Sequence, residues 1–123
     1  MSLPEESTLL RVFIGEADEV DGRPLYEAIV TRAREFHMAG ATVLRGPLGF
    51  GRSSLLHTAK ILRLSQDLPV VIEIVDADEK ISAFISEIMV LTKSCLITTE
   101  KVRIIRYGGT NDTPPSQAPK LHT

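Results

Sequence analysis

The chain has 123 residues, 43% of them hydrophobic and 24% charged, with a formal net charge of −2 and a single cysteine. A chain of this size forms one domain whose core needs neither disulfide nor metal, and one cysteine excludes an intrachain disulfide. No apolar run approaches the ~20 residues of a membrane span, and Glu5 and Glu6 stand where a signal peptide would be basic and then apolar, so the expected location is the cytoplasm, with no membrane insertion.

Residues 1–7 read as a flexible N-terminus. Thr8–Ile14 alternates as a strand ended by Gly15, and Glu16–Arg23 is an acidic loop with a turn at Asp21-Gly22. Pro24 suits the first turn of a helix. Leu25, Ala28, Ile29, Ala33 and Phe36 give that helix one apolar stripe, and Gly40 is expected to close it. Ala41–Arg45 is a second strand. It leads into a long loop region, residues 46–66. Within that region Ser53–Leu64 reads either as a short helix or as the return arm of a long hairpin, because Leu55, Ala59 and Leu62 keep helical spacing while Leu56, Ile61 and Leu64 do not.

Val70–Val75 is β-branched throughout apart from Glu73 and is the clearest strand. Asp76 and Glu79 are spaced as a capping box for a second helix, whose stripe is Ile81, Phe84, Ile85 and Ile88. Leu96–Tyr107 contains the last strand, expected to centre on Val102, Ile104 and Ile105. Residues 108–123 hold three prolines, two glycines and no large apolar cluster, as expected of a disordered tail. The domain thus spans residues 8–107 in the order β-α-β, long connection, β-α-β. This is an α+β, ferredoxin-like βαββαβ sandwich: an antiparallel four-stranded sheet with two helices on one face.

The other face is the informative one. In the first strand Leu10, Val12 and Ile14 alternate with Leu9, Arg11 and Phe13; in the third, Val70, Ile72 and Ile74 alternate with Val71, Glu73 and Val75. Each strand therefore has one wholly apolar face and one with a single charge. A solvated antiparallel face is more polar than that, so the second face is expected to pack against other subunits. The alternative cover is the 53–64 segment.

Charge falls in blocks of −4, +4, −5 and +3 over residues 1–35, 36–66, 67–92 and 93–123. The only long acid-free window contains Arg45-Gly-Pro-Leu-Gly-Phe-Gly-Arg-Ser-Ser-Leu-Leu-His57, with Gly46, Gly49 and Gly51 between Arg45 and Arg52. Glycine lets main-chain N–H groups approach a ligand, successive N–H groups can cradle an anion, and arginine pairs with phosphate or carboxylate. Ser53 adds a hydroxyl, and His57 can bond a phosphate, bond a ribose or serve structurally. The pattern marks a local anion site and not a basic surface for nucleic acid.

Gly46 to Ser53 also mimics a P-loop, G-x-x-x-x-G-K-[ST], with Arg52 in place of lysine. Arginine does not replace that compact charge. A strand and a helix precede the motif, and two helical patterns are too few to cover both faces of a parallel sheet. An RNA-binding sheet of the same strand order needs exposed aromatics, which the third strand lacks. No nucleophile–base pair or metal-ligand spacing is legible, and Cys95 reads as a small buried hydrophobe.

The run from Gly40 to Arg52, His57, and Leu64-Ser-Gln-Asp-Leu-Pro-Val-Val-Ile-Glu-Ile-Val-Asp76 resembles the domain of unknown function 190 family, as do Leu-Arg-Val-Phe-Ile-Gly-Glu at the start and Thr99-Glu-Lys-Val. That family is similar in fold to the nitrogen regulatory PII proteins. The resemblance implies a homotrimer with a long loop between the second and third strands and nucleotide held in clefts between subunits. The loop base there corresponds to Gly46–Arg52, and the turn before the last strand to about Lys93–Thr98. This chain has Lys93-Ser-Cys-Leu-Ile-Thr where typical PII proteins have a glycine- and lysine-rich turn, and its loop has no tyrosine. ATP binding coupled to 2-oxoglutarate sensing therefore does not follow from the resemblance.

The expected protein is a non-enzymatic PII-like trimeric regulator that requires no cofactor. An anionic small molecule, with an adenine nucleotide favoured, would bind at Arg45, Gly46, Gly49, Gly51, Arg52, Ser53, His57 and Lys93, and the loop would signal to a protein target. The alternatives are a nucleotide or phosphoester hydrolase and a structural or metal-tolerance trimer of the same fold.

Overall fold

The computed structural model describes residues 3–49 and 67–109. The conformation expected for 53–64 and the tail from residue 110 onward lie outside the described residues. The chain forms β1 (Glu6–Gly15), β2 (Glu19–Val20), β3 (Arg23–Pro24), α1 (Leu25–Glu35), β4 (Thr42–Arg45), β5 (Pro69–Asp76), α2 (Asp78–Leu91) and β6 (Leu96–Arg103). The main sheet has the order β4-β5-β1-β6, and all three of its pairings are antiparallel. This is the ferredoxin-like α+β arrangement expected from the order of elements.

Period-two alternation divides the sheet. Leu10, Val12 and Ile14 of β1 and Val70, Ile72 and Ile74 of β5 face the helices, where Leu25, Ile29 and Ala33 of α1 and Ile81, Phe84 and Ile88 of α2 complete one buried cluster. Phe36 and Phe84 add a tilted ring pair with centroids 5.6 Å apart, a favoured aromatic geometry. The opposite face carries half-buried Leu9, Arg11, Phe13, Val71, Glu73 and Val75, with Leu44 and Leu96 exposed beside them.

Local details differ from expectation in four places. The first helix is closed by His37 and not by Gly40. His37 adopts a left-handed φ of 60°. Its N–H donates to the Arg34 carbonyl at 3.0 Å, and that of Met38 to the Ala33 carbonyl at 3.0 Å. These are the two bonds of a Schellman cap, and they use up the helix end before Gly40 is reached. The Asp76–Glu79 capping box does not form. Ala77 is the N-cap of α2, without a side-chain cap bond. The buried Asp76 carboxylate instead accepts from the Ala39 N–H at 2.8 Å and the Ala77 N–H at 2.7 Å, which ties the α1–β4 connection to the start of α2.

β1 also begins earlier than Thr8. Glu6 pairs with Arg103 and Ser7 with Val102, and Leu3 is only 7% exposed. The last strand ends at Arg103, and one further main-chain bond, from the Ile104 N–H to the Glu5 carbonyl at 2.7 Å, follows it. The acidic loop folds back as the β2–β3 hairpin. Asp21 (φ 50°) and Gly22 (φ 78°) occupy its two central positions, as a type I′ turn requires. Among the described residues, no helix is long and apolar enough to cross a membrane.

Phe84 is fully buried at the centre of the cluster. Phe84→Ala is expected to lower the unfolding free energy by about 3–5 kcal/mol, measured by urea denaturation. A loss below about 1 kcal/mol, less than a typical core truncation, would show that the helices do not close the core as described.

Candidate functional site

Three strand ends meet at one end of the sheet: β1 leaves at Gly15, β5 enters at Pro69 and β4 leaves at Arg45, with Gly15 opposite Pro69 and Arg45 opposite Val70. The Arg45 side chain is 47% exposed and pairs with Glu16, Nη2 to Oε2, at 2.8 Å. Main-chain bonds lock this corner. The Gly46 N–H donates to the Pro69 carbonyl at 2.8 Å and the Glu16 N–H to the Leu68 carbonyl at 2.8 Å. The Ala17 N–H donates to Asp67 Oδ1 at 3.0 Å, and the Gly15 N–H to Asp18 Oδ2 at 2.9 Å.

Gly46 and Gly49 have a steric role here. A Cβ on Gly46 would lie 2.9 Å from Cγ of Pro69, and one on Gly49 would lie 3.0 Å from the same atom. The two glycines let the main chain close over the proline ring. Lys93 is exposed in the turn between α2 and β6, where the Ser94 N–H donates to Thr92 Oγ1 at 3.2 Å. That turn is at the same end of the sheet, because Leu96 pairs with Phe13. However, β4 and β6 are opposite edges of four strands, so Arg45 and Lys93 stand roughly three inter-strand spacings, about 14 Å, apart. The structure brings Arg45, Gly46 and Gly49 together and leaves Lys93 apart from them. Gly51, Arg52, Ser53 and His57 lie outside the described residues.

In the turn before β6, Cys95 is half-buried. Burial, and then the charge of Asp18, push its thiol pKa up, so it is a protonated thiol at neutral pH and not an activated nucleophile. Among the described residues, no three His, Cys, Asp or Glu side chains are grouped to hold a metal.

The centre of the open face carries a charged cluster. Arg11 donates to Glu73 on β5 at 2.9 Å and to Glu100 on β6 at 2.9 Å. These bonds, to Glu73 first and then Glu100, raise the guanidinium pKa. At the far end of the same face is a cleft of about 320 Å³, lined by Leu9, Thr42, Glu73, Val75, Ile104 and Tyr107 among others. The Tyr107 hydroxyl crosses it to donate to the Ala39 carbonyl at 2.8 Å. Sequence reasoning missed this cleft and also Glu16, which looked like one more acid in an acidic loop. Strand register is the signal that locates Glu16: it follows the β1 residue opposite Pro69, next to the residue opposite Arg45.

The profile of the family described as Uncharacterized ACR, domain of unknown function 190, matches residues 7–104. A UPF0166 protein of Aquifex aeolicus is 40% identical over 97 residues, which cover 79% of this chain and 91% of that protein. Two structures from Thiomonas intermedia K12 share the fold. CPII bound to ADP, AMP and acetate has a TM-score of 0.59 at 11% identity, over 89% of this chain and 95% of its own. CPII described as a nitrogen regulatory PII-like protein, bound to ADP, AMP and bicarbonate, has a TM-score of 0.58 at 12% identity, over 80% and 88%.

Two glycine substitutions separate a steric role from simple conformational freedom. Gly46→Ala is expected to destabilise by about 1–3 kcal/mol, since overpacking against a rigid ring outweighs the ~0.4–1 kcal/mol that alanine contributes by restricting the unfolded chain. A Cβ at Gly40 meets nothing within 4 Å, so Gly40→Ala is expected to be neutral or mildly stabilising. Equal melting shifts for the two variants would show that Gly46 does not pack on Pro69.

Proposed function

The chain belongs to the domain of unknown function 190 family and has a PII-like fold, and from that premise we propose that it is a trimeric regulatory protein that binds an anionic small molecule, by preference an adenine nucleotide, in clefts between its subunits. In this reading the anion is held by Arg45 together with Arg52, Ser53, His57 and the main chain at Gly46, Gly49 and Gly51, and a neighbouring chain supplies Lys93. Residues 46–66 carry the signal to a protein target, and the activity is binding without chemistry.

The observation that carries this reading is the placement of Arg45 and Lys93 at one end of the sheet but on its opposite edges, roughly 14 Å apart. Within one chain the two cations stand on opposite edges of the sheet, whereas a second copy would bring its own Lys93 to the Arg45 corner of the first. Two further observations support it. Leu9, Phe13, Val71 and Val75 lie on the open sheet face, and among the described residues no helix covers it, which suits an interface between copies. In addition, CPII, of the same fold, was found with ADP and AMP.

Isothermal titration with AMP, ADP, ATP and cyclic nucleotides tests the proposal. Saturable heat is expected with at least one of them. Arg45→Ala and Arg52→Ala are each expected to weaken it about tenfold, the scale of one lost hydrogen bond to a charged group. Absence of heat with every nucleotide would contradict the reading.

A further inference from the structure

Glu16 holds the arginine that the proposed ligand needs. Its carboxylate lies 2.8 Å from the Arg45 guanidinium, and its position is imposed by the backbone on both sides. The Glu16 N–H is bonded to the Leu68 carbonyl at 2.8 Å, and the Asp18 N–H to the Gly15 carbonyl at 3.1 Å. The Ala17 N–H is held by Asp67 and the Gly15 N–H by Asp18. Gly15–Asp18 is thus a rigid corner, and Glu16 does not have to be ordered before it can meet Arg45. Asp18 and Asp67 add negative charge around it, so an incoming anion meets an acidic setting in which Arg45 is already neutralised.

We propose that Glu16 is a resident competitor for the anion site. Its carboxylate takes the Arg45 guanidinium in the free chain, and an anionic ligand gains Arg45 only by displacing it. The inference rests on the reading of Arg45 as a ligand-binding group and adds a selection rule to it. A carboxylate brings one negative charge, whereas a terminal phosphoryl group brings about 1.5–2 charges and three strong acceptor oxygens. The phosphoryl group therefore displaces Glu16, while singly charged anions such as acetate or chloride compete with it on equal terms and are excluded by its fixed position. Glu16 is a specificity-determining residue: it sets an affinity threshold that admits phosphoryl groups. Because Glu16 is joined through its own backbone to Leu68, and Arg45 immediately precedes Gly46, the same displacement removes one of the ties that link β4, β1 and β5 at this corner.

The test is a double-mutant cycle read by isothermal titration. AMP, ADP, ATP and inorganic pyrophosphate are titrated into the wild type, Glu16→Gln, Arg45→Ala and the double variant. The half-exposed pair is worth the free energy of a surface ion pair, so Glu16→Gln is expected to bind the phosphoryl ligand about two- to fivefold more tightly. Glu16→Gln should also bind acetate more readily than the wild type does. The gain is expected to vanish in the Arg45→Ala background, since the competition acts through Arg45 alone. Tightening for pyrophosphate without binding of any nucleotide would support the competition and overturn the nucleotide reading. Nucleotide binding that Glu16→Gln leaves unchanged or weakens, or a gain that survives Arg45→Ala, would overturn the competition and leave the nucleotide reading standing. Absence of tightening for every probe would likewise overturn the competition.

Discussion

The pairing of β1 with β5 is the constraint from which the rest of the molecule follows. Leu10 opposite Ile74, Val12 opposite Ile72 and Ile14 opposite Val70 put three apolar pairs under the helices. The same register, through the period of two, puts Arg11 opposite Glu73 on the other face. A slip of one residue would turn over the faces of one strand and drive either Arg11 or Glu73 beneath Phe84, away from its partner and from water. Burying an unpaired charge costs far more than any strand pairing can return. The register is therefore enforced twice, by what must be buried and by what must not. Once it is set, Gly15 falls opposite Pro69, and the β1 exit is carried to the corner where Arg45 and Gly46 lie.

The second face inherits a conflict from this arrangement. Leu9, Phe13, Val71 and Val75 want cover, whereas Arg11, Glu73 and Glu100 are charged. Their mutual pairing across β5, β1 and β6 resolves the conflict in part. It satisfies the guanidinium within the sheet, with the apolar residues on either side of it. In the proposed trimer this face meets other copies. The cluster then supplies register between strands, while the flanking aliphatic and aromatic side chains supply the burial that holds the copies together.

Much of this was legible in the sequence because it depends on periodicity. The alternation of residues 9–14 and 70–75 assigned both faces of the sheet, and the stripes through Ile29 and Phe84 assigned the helix faces. What was not legible depends on contacts between distant residues. A left-handed His37 closes α1 because Met38 and Phe36 fold back onto the helix, while glycine is the residue type that sequence rules favour for that position. Asp76 looked like a cap because of its spacing to Glu79, but its carboxylate is spent on the Ala39 N–H, 37 residues away. Gly46 and Gly49 invited a phosphate-loop reading because glycine permits anion capture. The proximity of Pro69, which only the β4–β5 pairing creates, gives them a packing reason as well. Glu16 had no local signature at all, because its partner Arg45 lies across the fold.

In the proposed trimer the open face of the sheet is an interface between copies of this chain. Light scattering coupled to size exclusion measures it directly. The proposed trimer predicts a particle of about 40 kDa, three times the 13.5 kDa of one chain. A clean monomer of 13.5 kDa would leave the face without its cover and Lys93 without a neighbouring Arg45, and would contradict the assembly on which the proposed site depends.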